Sequence, residues 1–528
     1  MTHWRRWWLA PVAVVALAAA LRYVAAEQSV GPGFPLDDGW IHAQFARNLA
    51  SGHGLAFTPG EPSTGSTAPL RTVLLALPIA LGGGLVVSAK IIGMLLAAVA
   101  AVLAGALTNS LSGSRLAGVV AGLAVALSPR LTWGAVSGME VPLYTALTCG
   151  ALLAFVRVSG RFEWAWGALC GLSALARPET GVIFPILLAT AVVLDRRGSA
   201  PETSPARRRR LVMATVAFAL VVGADVVVNL SISGRPLPAT FYAKTEGAGL
   251  LNALGRADVP EMARSLGGRP FGALNEVVRY FAEQSLLLLL FALPGLMRVA
   301  GLWKDAVEGS DASPARAVAV AAVLVASPLA MGALAPVTPL LMQEGRYVAH
   351  LLVLFLVVAA VGVAALAQRS RAPLAVWALA GLALARLASQ NVAFADRYAR
   401  QVDNINRMHV AMGRWLSANT PADVTIATND IGAIGVFSGR RILDLEGLVT
   451  PAIVPFKAGR QRLAFLEQER PAFLVVFDEW YPELVARRDL FTEVQRITVP
   501  RVTAAHDALV VYRARWAEAA DPDRRAHD

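Results

Sequence analysis

Long apolar runs broken by short polar stretches dominate the first three quarters of the chain. They are rich in Ala, Leu and Val, recur from residue 7 to about residue 389, and approach the length of a bilayer-crossing helix. The first covers about 7–26, behind Arg5 and Arg6. Others cover about 86–108, 115–134 and 141–156. Two more meet at ALARPET, 174–180. Then come about 211–230, 284–302 and 316–335, a run opening at QEGRYVAH (343–350), and a last one ending near Ala388. The pattern predicts about eleven transmembrane helices. Residues 69–84, PLRTVLLALPIALGGG, are apolar but short and broken by Pro78 and three glycines. They predict a re-entrant or interfacial helix.

Two other patterns stand out. In FPLDDGWIHAQFARNLASGHG, 34–54, Ile41, Phe45 and Leu49 recur every fourth residue, with His42, Gln44, Arg47 and Asn48 on the other face. This predicts an amphipathic interfacial helix ending at Ser51-Gly52. From about residue 400, β-rich runs (VTIAT, AFLVVF, HDALVVYRA) alternate with helical segments, and INRMHVAMGRWLSAN leads in as a helix. The tail AEAADPDRRAHD is expected to fray. The fold class expected is mostly α. A polytopic membrane helical bundle spans 1–390, with external loops at 27–85 and 231–283, and a small extracytoplasmic α/β domain spans 391–528.

Composition agrees. Of 528 residues, 56% are hydrophobic and only 16% charged, below the quarter or so usual for soluble proteins. The net charge of +11 sits mainly in short arginine-rich loops such as RRGSAPETSPARRRR, 196–210. The positive-inside rule explains these better than nucleic acid does, because no aromatic-interleaved basic face accompanies them. Placing 196–210 and the N-terminus in the cytoplasm of a bacterial inner membrane requires that 69–84 does not span. Cys149 and Cys170 lie in apolar runs, so no disulfide framework is expected.

On this threading the unusual polar residues gather on the outer side: Asp37, Asp38, His42, Glu140, Arg177, Glu179, Tyr242, Lys244, Arg346, Tyr347 and His350. Ionisable groups at membrane depth are costly and mark functional sites. Each also has a plainer reading. A carboxylate at Asp37, Asp38 or Glu140 suits a helix N-terminus. Arg177 and Arg346-Tyr347 suit interfacial anchoring, and Lys244 a solvated loop. A cap needs only one of two adjacent aspartates, and positive-inside disfavours three external cations. Asp38 is the expected cap and Asp37 the expected general base; the two could instead hold a divalent ion (Mg, Mn or Ca).

The order of LDDGWIHAQFARNLASGHGLAFTPGE, SGME, ARPE, LPATFYAK and GRY resembles integral-membrane glycosyltransferases of the GT-C fold. It looks most like the actinobacterial terminal β-(1→2) arabinofuranosyltransferases and their uncharacterised bacterial relatives. NDIGAIGVFSGRRILDLEGLVTP, 429–451, resembles their C-terminal domain. The resemblance implies an inverting transfer from a polyprenyl-phosphate sugar, arabinofuranose among several options, to a cell-envelope glycan, glycolipid or glycoprotein. Asp37 or Asp38 would deprotonate the acceptor. Arg177, Lys244 and Arg346 would balance the lipid phosphate, and Glu140 would orient donor or acceptor. The alternatives are a lipid-linked-sugar flippase, for which Lys90, Asp225 and Asn229 are the main intramembrane polar groups, and a membrane-anchored glycan-binding module, with Trp480 and Tyr481 as its best aromatic candidates.

Overall fold

A computed structural model describes residues 7–157, 163–196, 204–302, 314–334, 340–457 and 461–516. Most of the 196–210 loop's central stretch (197–203) and the expected frayed tail beyond 516 lie outside the described residues. The chain divides into two compact units. One comprises 1–25, 90–227 and 247–396; the other 26–89, 228–246 and 397–528.

The first unit is a helical bundle. Among the described residues of the whole chain, six helices are long and apolar enough to cross a bilayer: Ala10–Ser29, Leu85–Ser112, Arg208–Ser233, Arg316–Leu334, Ala349–Arg369 and Pro373–Asn419. The expected third span is instead two helices, Arg115–Leu127 and Pro129–Val136, bent by 58°. Pro129 explains the break. It cannot donate into the preceding turn, and it holds Ser128 in an extended conformation, φ −64°, ψ 120°. The remaining four apolar runs form shorter helices: Val141–Arg157, Trp164–Ala176, Pro178–Leu194 and Leu286–Val299. All eleven apolar runs are therefore helical, and the chain is a multi-pass membrane protein. Leu220, Val227, Leu290 and Leu293 stand exposed on bundle helices, as lipid-facing side chains do.

Small residues set the closest helix crossings. A Cβ on Gly362 would run into the carbonyl oxygen of Phe291, and one on Gly295 into that of Val358. Helix Leu286–Val299 thus lies directly on helix Ala349–Arg369, whose side chains are almost all buried. In lipid, where burial of apolar surface gives little drive, such close van der Waals packing carries helix association.

The second unit is built on a five-stranded sheet. Its strands are β3 (Thr425–Thr428), β4 (Arg441–Asp444), β5 (Phe473–Val476), β6 (Phe491–Thr498) and β7 (Ala508–Ala514), after a short hairpin of β1 (Ala56–Thr58) and β2 (Glu61–Pro62). The order is β4-β3-β5-β7-β6. Strands β4, β3 and β5 run parallel, and β7 and β6 are antiparallel to their neighbours. One sheet face packs Ile426, Phe473, Val475 and Val511 against Ile41 and Phe45 of the early loop and against Met408, Met412 and Leu416. The other packs Leu443, Leu474, Val476 and Tyr512 around Phe465 and Leu484. The early loop is therefore part of this core.

Helix Asp37–Ala50 differs from the expected amphipathic interfacial helix in having both faces covered. Gly39 to Ala46 and Asn48 are all buried, on both faces. The polar face is buried because it serves the hairpin. Asn48 Nδ2 donates to the carbonyls of Ala56 (2.9 Å) and Phe57 (2.7 Å), and Gln44 Nε2 donates to Phe57 (2.8 Å). Arg47 Nη1 donates to Val436 O at 3.2 Å. Gly52 and Gly54 turn the chain with φ of 83° and 69°, which side chains rarely adopt. Helix Pro69–Ala80, of 12 residues, rises only about 18 Å, too short for a span.

Candidate active site

Asp37 and Asp38 open helix Asp37–Ala50, but neither occupies its cap. The cap position is Leu36, and no side chain caps it. Asp37 instead reaches another helix. Its Oδ2 accepts the N–H of Gly432 at 2.6 Å and its Oδ1 accepts that of Ala433 at 2.7 Å. These are amides that the start of helix Gly432–Ser438 leaves without intrahelical partners. Glycine is required here, since a Cβ on Gly432 would collide with the Asp37 backbone carbonyl. Burial pushes the Asp37 carboxyl up to about 6; His409 and the two amides oppose that rise, and Asp430 adds to it. Asp38 sits half-buried in the first turn.

Next to this clamp, His409 Nε2 lies 2.7 Å from Asp430 Oδ2. Asn429 Nδ2 donates to Asp430 Oδ1 at 3.1 Å. His409 stands on a π-helical turn, Asn406–Val410, a form enriched at functional sites. His409, Asp430 and Gly432 were not singled out one by one from the sequence. The NDIG stretch was the available signal, but nothing local tied it to a histidine 21 residues earlier or to Asp37.

His42 is buried within its helix. Tyr242 and Lys244 lie on helix Ala239–Thr245, so Lys244 is helical and not in the expected loop; it is exposed. The guanidinium of Arg235 covers the Tyr242 ring at 4.9 Å. Beyond it, Lys457 Nζ contacts Glu246 Oε1 (2.8 Å) and Glu446 Oε2 (3.0 Å). Tyr481, expected as an aromatic surface, is buried and donates to Glu446 Oε1 at 2.6 Å.

The first unit gathers its own cluster. Arg177 occupies the extended residue between helix Trp164–Ala176 and the turn opening at Pro178. Its Nη1 pairs with Glu140 and its Nη2 with Glu179 Oε1 at 3.0 Å. Arg177 and Glu140 are both buried, so each requires the other. The Arg177 guanidinium lies over the Tyr347 ring at 4.3 Å from its centroid. Arg346 Nη2 lies 3.4 Å from the Tyr347 hydroxyl and Nη1 lies 3.7 Å from Met139 Sδ. Tyr144 donates to the Arg346 carbonyl and accepts the N–H of Ala349 at 3.2 Å. The His350 ring meets Tyr144 edge-on at 5.7 Å. The structure thus brings Glu140, Arg177, Glu179, Arg346, Tyr347 and His350 together in one unit, and holds Asp37, Asp38, His42, Tyr242 and Lys244 in the other.

The donor set does not suit a divalent ion. Both Asp37 oxygens face N–H donors, and among the described residues no three His, Cys, Asp or Glu side chains could hold a metal.

Residues 395–522 match the family model "Domain of unknown function (DUF8728)". No curated protein matches the sequence. Solved structures do match the backbone. The archaeal oligosaccharyltransferase AglB from Archaeoglobus fulgidus, in complex with an inhibitory peptide and a dolichol-phosphate, aligns with TM-score 0.58 and 13% identity, over 98% of this chain and 75% of that one. ArnT from Cupriavidus metallidurans bound to undecaprenyl phosphate aligns with TM-score 0.55 and 12% identity, over 97% and 98%. The chain has a GT-C fold. The arabinofuranosyltransferase AftD from Mycobacteria aligns with TM-score 0.54 and 17% identity, over 97% of this chain but 40% of that one. At these identities the GT-C likeness concerns the fold alone. Two of the three GT-C structures hold a lipid phosphate.

Proposed function

We propose that the protein is an inverting glycosyltransferase that moves a sugar from a polyprenyl-phosphate donor to an extracytoplasmic acceptor. The acceptor hydroxyl oxygen attacks the anomeric carbon, the bond from that carbon to the phosphate oxygen breaks, and the hydroxyl proton passes to a carboxylate. The observation that carries the reading is a pair of adjacent carboxylates in a GT-C fold, opening a buried helix and anchored by two amide hydrogen bonds. Because both Asp37 oxygens already accept amides, Asp38 is assigned the proton and Asp37 the task of holding the turn. This reverses the roles expected from the sequence.

Arg177 shares its charge with Glu140 and Glu179, so it is assigned to hold the cluster. Lys244, in the unit that also holds Asp37 and Asp38, is assigned to the leaving phosphate, where a fixed cation lowers the barrier to departure. The reading places the second unit outside the bacterial inner membrane, with arabinofuranose as one donor sugar among several. Purified protein incubated with a panel of polyprenyl-phosphate sugars and an envelope-glycan acceptor is expected to release lipid phosphate from one of them and to invert its anomeric configuration. Flipping of the donor across a vesicle with no release from any donor would contradict it.

A further inference from the structure

The C-terminal sheet carries a feature that the transfer chemistry does not use. In open α/β sheets, ligands bind in the crevice beyond the carboxyl ends of parallel strands. Here the parallel strands are β4, β3 and β5. Asn429 and Asp430 follow β3, and Phe477 to Trp480 follow β5. In register, Thr428 pairs with Val475, so the two post-strand segments lie side by side.

The segment after β5 turns tightly. Trp480 N–H donates to Phe477 O at 3.0 Å, and Tyr481 N–H to Asp478 O at 3.3 Å. This turn sends Tyr481 into the core and leaves Trp480 45% exposed. The Trp480 ring is braced by Phe477 (5.7 Å) and His506 (6.1 Å), both edge-on. Phe477 also meets His506 at 5.8 Å and His409 at 6.0 Å, which ties the platform to the His409–Asp430 pair. The loop that presents His506 is pinned in turn. Asn404 Oδ1 accepts the N–H groups of Thr503 (3.0 Å) and Ala504 (2.8 Å). An exposed indole on so many supports is held in place.

Charge around the indole selects the ligand class. Glu479 is exposed beside His506 at 3.7 Å, Asp430 keeps 23% of its side chain accessible, and Asp478 accepts from Tyr512 at 2.7 Å. Arg496, the nearby cation, is paired with Asp478 and Glu493. Carboxylates around an aromatic face accept hydrogen bonds from hydroxyl groups and repel phosphates. A sugar ring offers apolar C–H faces to the indole and hydroxyls to the acids.

We propose that the carboxyl edge of β3 and β5 is a saccharide-binding site, with Trp480 as its stacking face and His506, Glu479 and Asp430 as its hydrogen-bonding groups. Only the further step, that the saccharide is the acceptor for transfer, rests on the glycosyltransferase reading.

The test uses the full-length protein in detergent, with short linear arabino-, galacto- and manno-oligosaccharides as probes. Calorimetry and saturation-transfer NMR are expected to show saturable binding of at least one. Trp480→Ala is expected to weaken it tenfold or more, His506→Ala less, and Trp480→Phe to keep part of it. Undecaprenyl phosphate binding is expected to be the same in Trp480→Ala as in the parent protein, which shows that the variant is folded. No saturable binding by any probe, binding indifferent to Trp480, or binding only of serine- and threonine-containing peptides would overturn the proposal. Oligosaccharide binding lost in Trp480→Ala, in a protein that transfers no sugar from any donor, would uphold the site and reject the transferase reading instead.

Discussion

Replacing Asp37 by Ala removes the acceptor for Gly432 N–H and Ala433 N–H, held at 2.6 and 2.7 Å. Hydrogen bonds to a charged group are worth roughly 1.5–3 kcal/mol each, so the gross loss is about 3–6 kcal/mol. An opposing effect comes from the carboxyl itself, which burial raises from 3.8 to about 6. A carboxyl raised on folding favours the folded state when protonated. Its ionisation begins to cost stability as pH passes the unfolded value, and the cost is complete above the folded one. At about 1.4 kcal/mol per unit, it is about 3 kcal/mol at pH 7.5 and about 1.6 kcal/mol at pH 5. The protein therefore recovers about 1.4 kcal/mol on acidification that Asp37→Ala cannot recover. The substitution should destabilise at both pH values, and by about 1.4 kcal/mol more at pH 5. Thermal unfolding in detergent at the two pH values, with both proteins in the same buffers, reads the difference. A destabilisation that shrinks as pH falls would refute the reasoning, because it would mean that Asp37 is held as a favourably paired carboxylate.

Other outcomes follow from the packing. Glu140→Gln leaves Arg177 buried with Glu179 as its remaining carboxylate. Breaking a buried pair costs about 3–5 kcal/mol. Glu179 reduces this, so a loss of about 2–3 kcal/mol is expected by thermal unfolding. A double-mutant cycle with Arg177→Gln should show non-additivity of 1 kcal/mol order, about that or more. Gly362→Val drives a side chain into the Phe291 carbonyl and should sharply reduce the yield of folded protein, read by size-exclusion chromatography in detergent. Asn48→Ala removes the side-chain donor from the Ala56 carbonyl of β1 and leaves the Phe57 carbonyl with Gln44 Nε2; it should cost about 1–3 kcal/mol, with faster hydrogen exchange confined to residues near 55–63.

Each of the eleven apolar runs is helical, though one is broken into two helices, because lipid-facing and core-facing positions alike demand apolar residues. Composition says little about where such a helix breaks, and Pro129 was hidden inside an otherwise apolar run. The opening helix shows a different limit. Its repeat at every fourth residue, Ile41, Phe45 and Leu49, reads as an amphipathic interfacial helix, and the burial of Gln44 and Asn48 and the half-burial of Arg47 depend on partners in the hairpin and on Val436 O. Periodicity reports one apolar face, not a polar face that is covered and hydrogen-bonded. The same limit applies to Asp37. Its partners Gly432 and Ala433 are almost four hundred residues away in sequence, so helix-end reasoning, which gave the cap to Asp38, left Asp37 as an unanchored base. Glu140, Arg177 and Arg346 were legible because charge within or beside an apolar run is rare enough to notice. Lys457, Glu446 and His409 sit in ordinary soluble-domain sequence, where a charge attracts no attention.

The central claim is that the Asp37–Asp38 turn takes the acceptor proton during sugar transfer from a lipid phosphate. Its most direct test is single-turnover release of polyprenyl phosphate by purified Asp38→Asn, alongside the parent protein, with the donor and acceptor that the parent uses. The account predicts an unfolding temperature within a few degrees of the parent and release slowed by a factor of about a hundred or more. Release at the parent rate from the folded variant would contradict it.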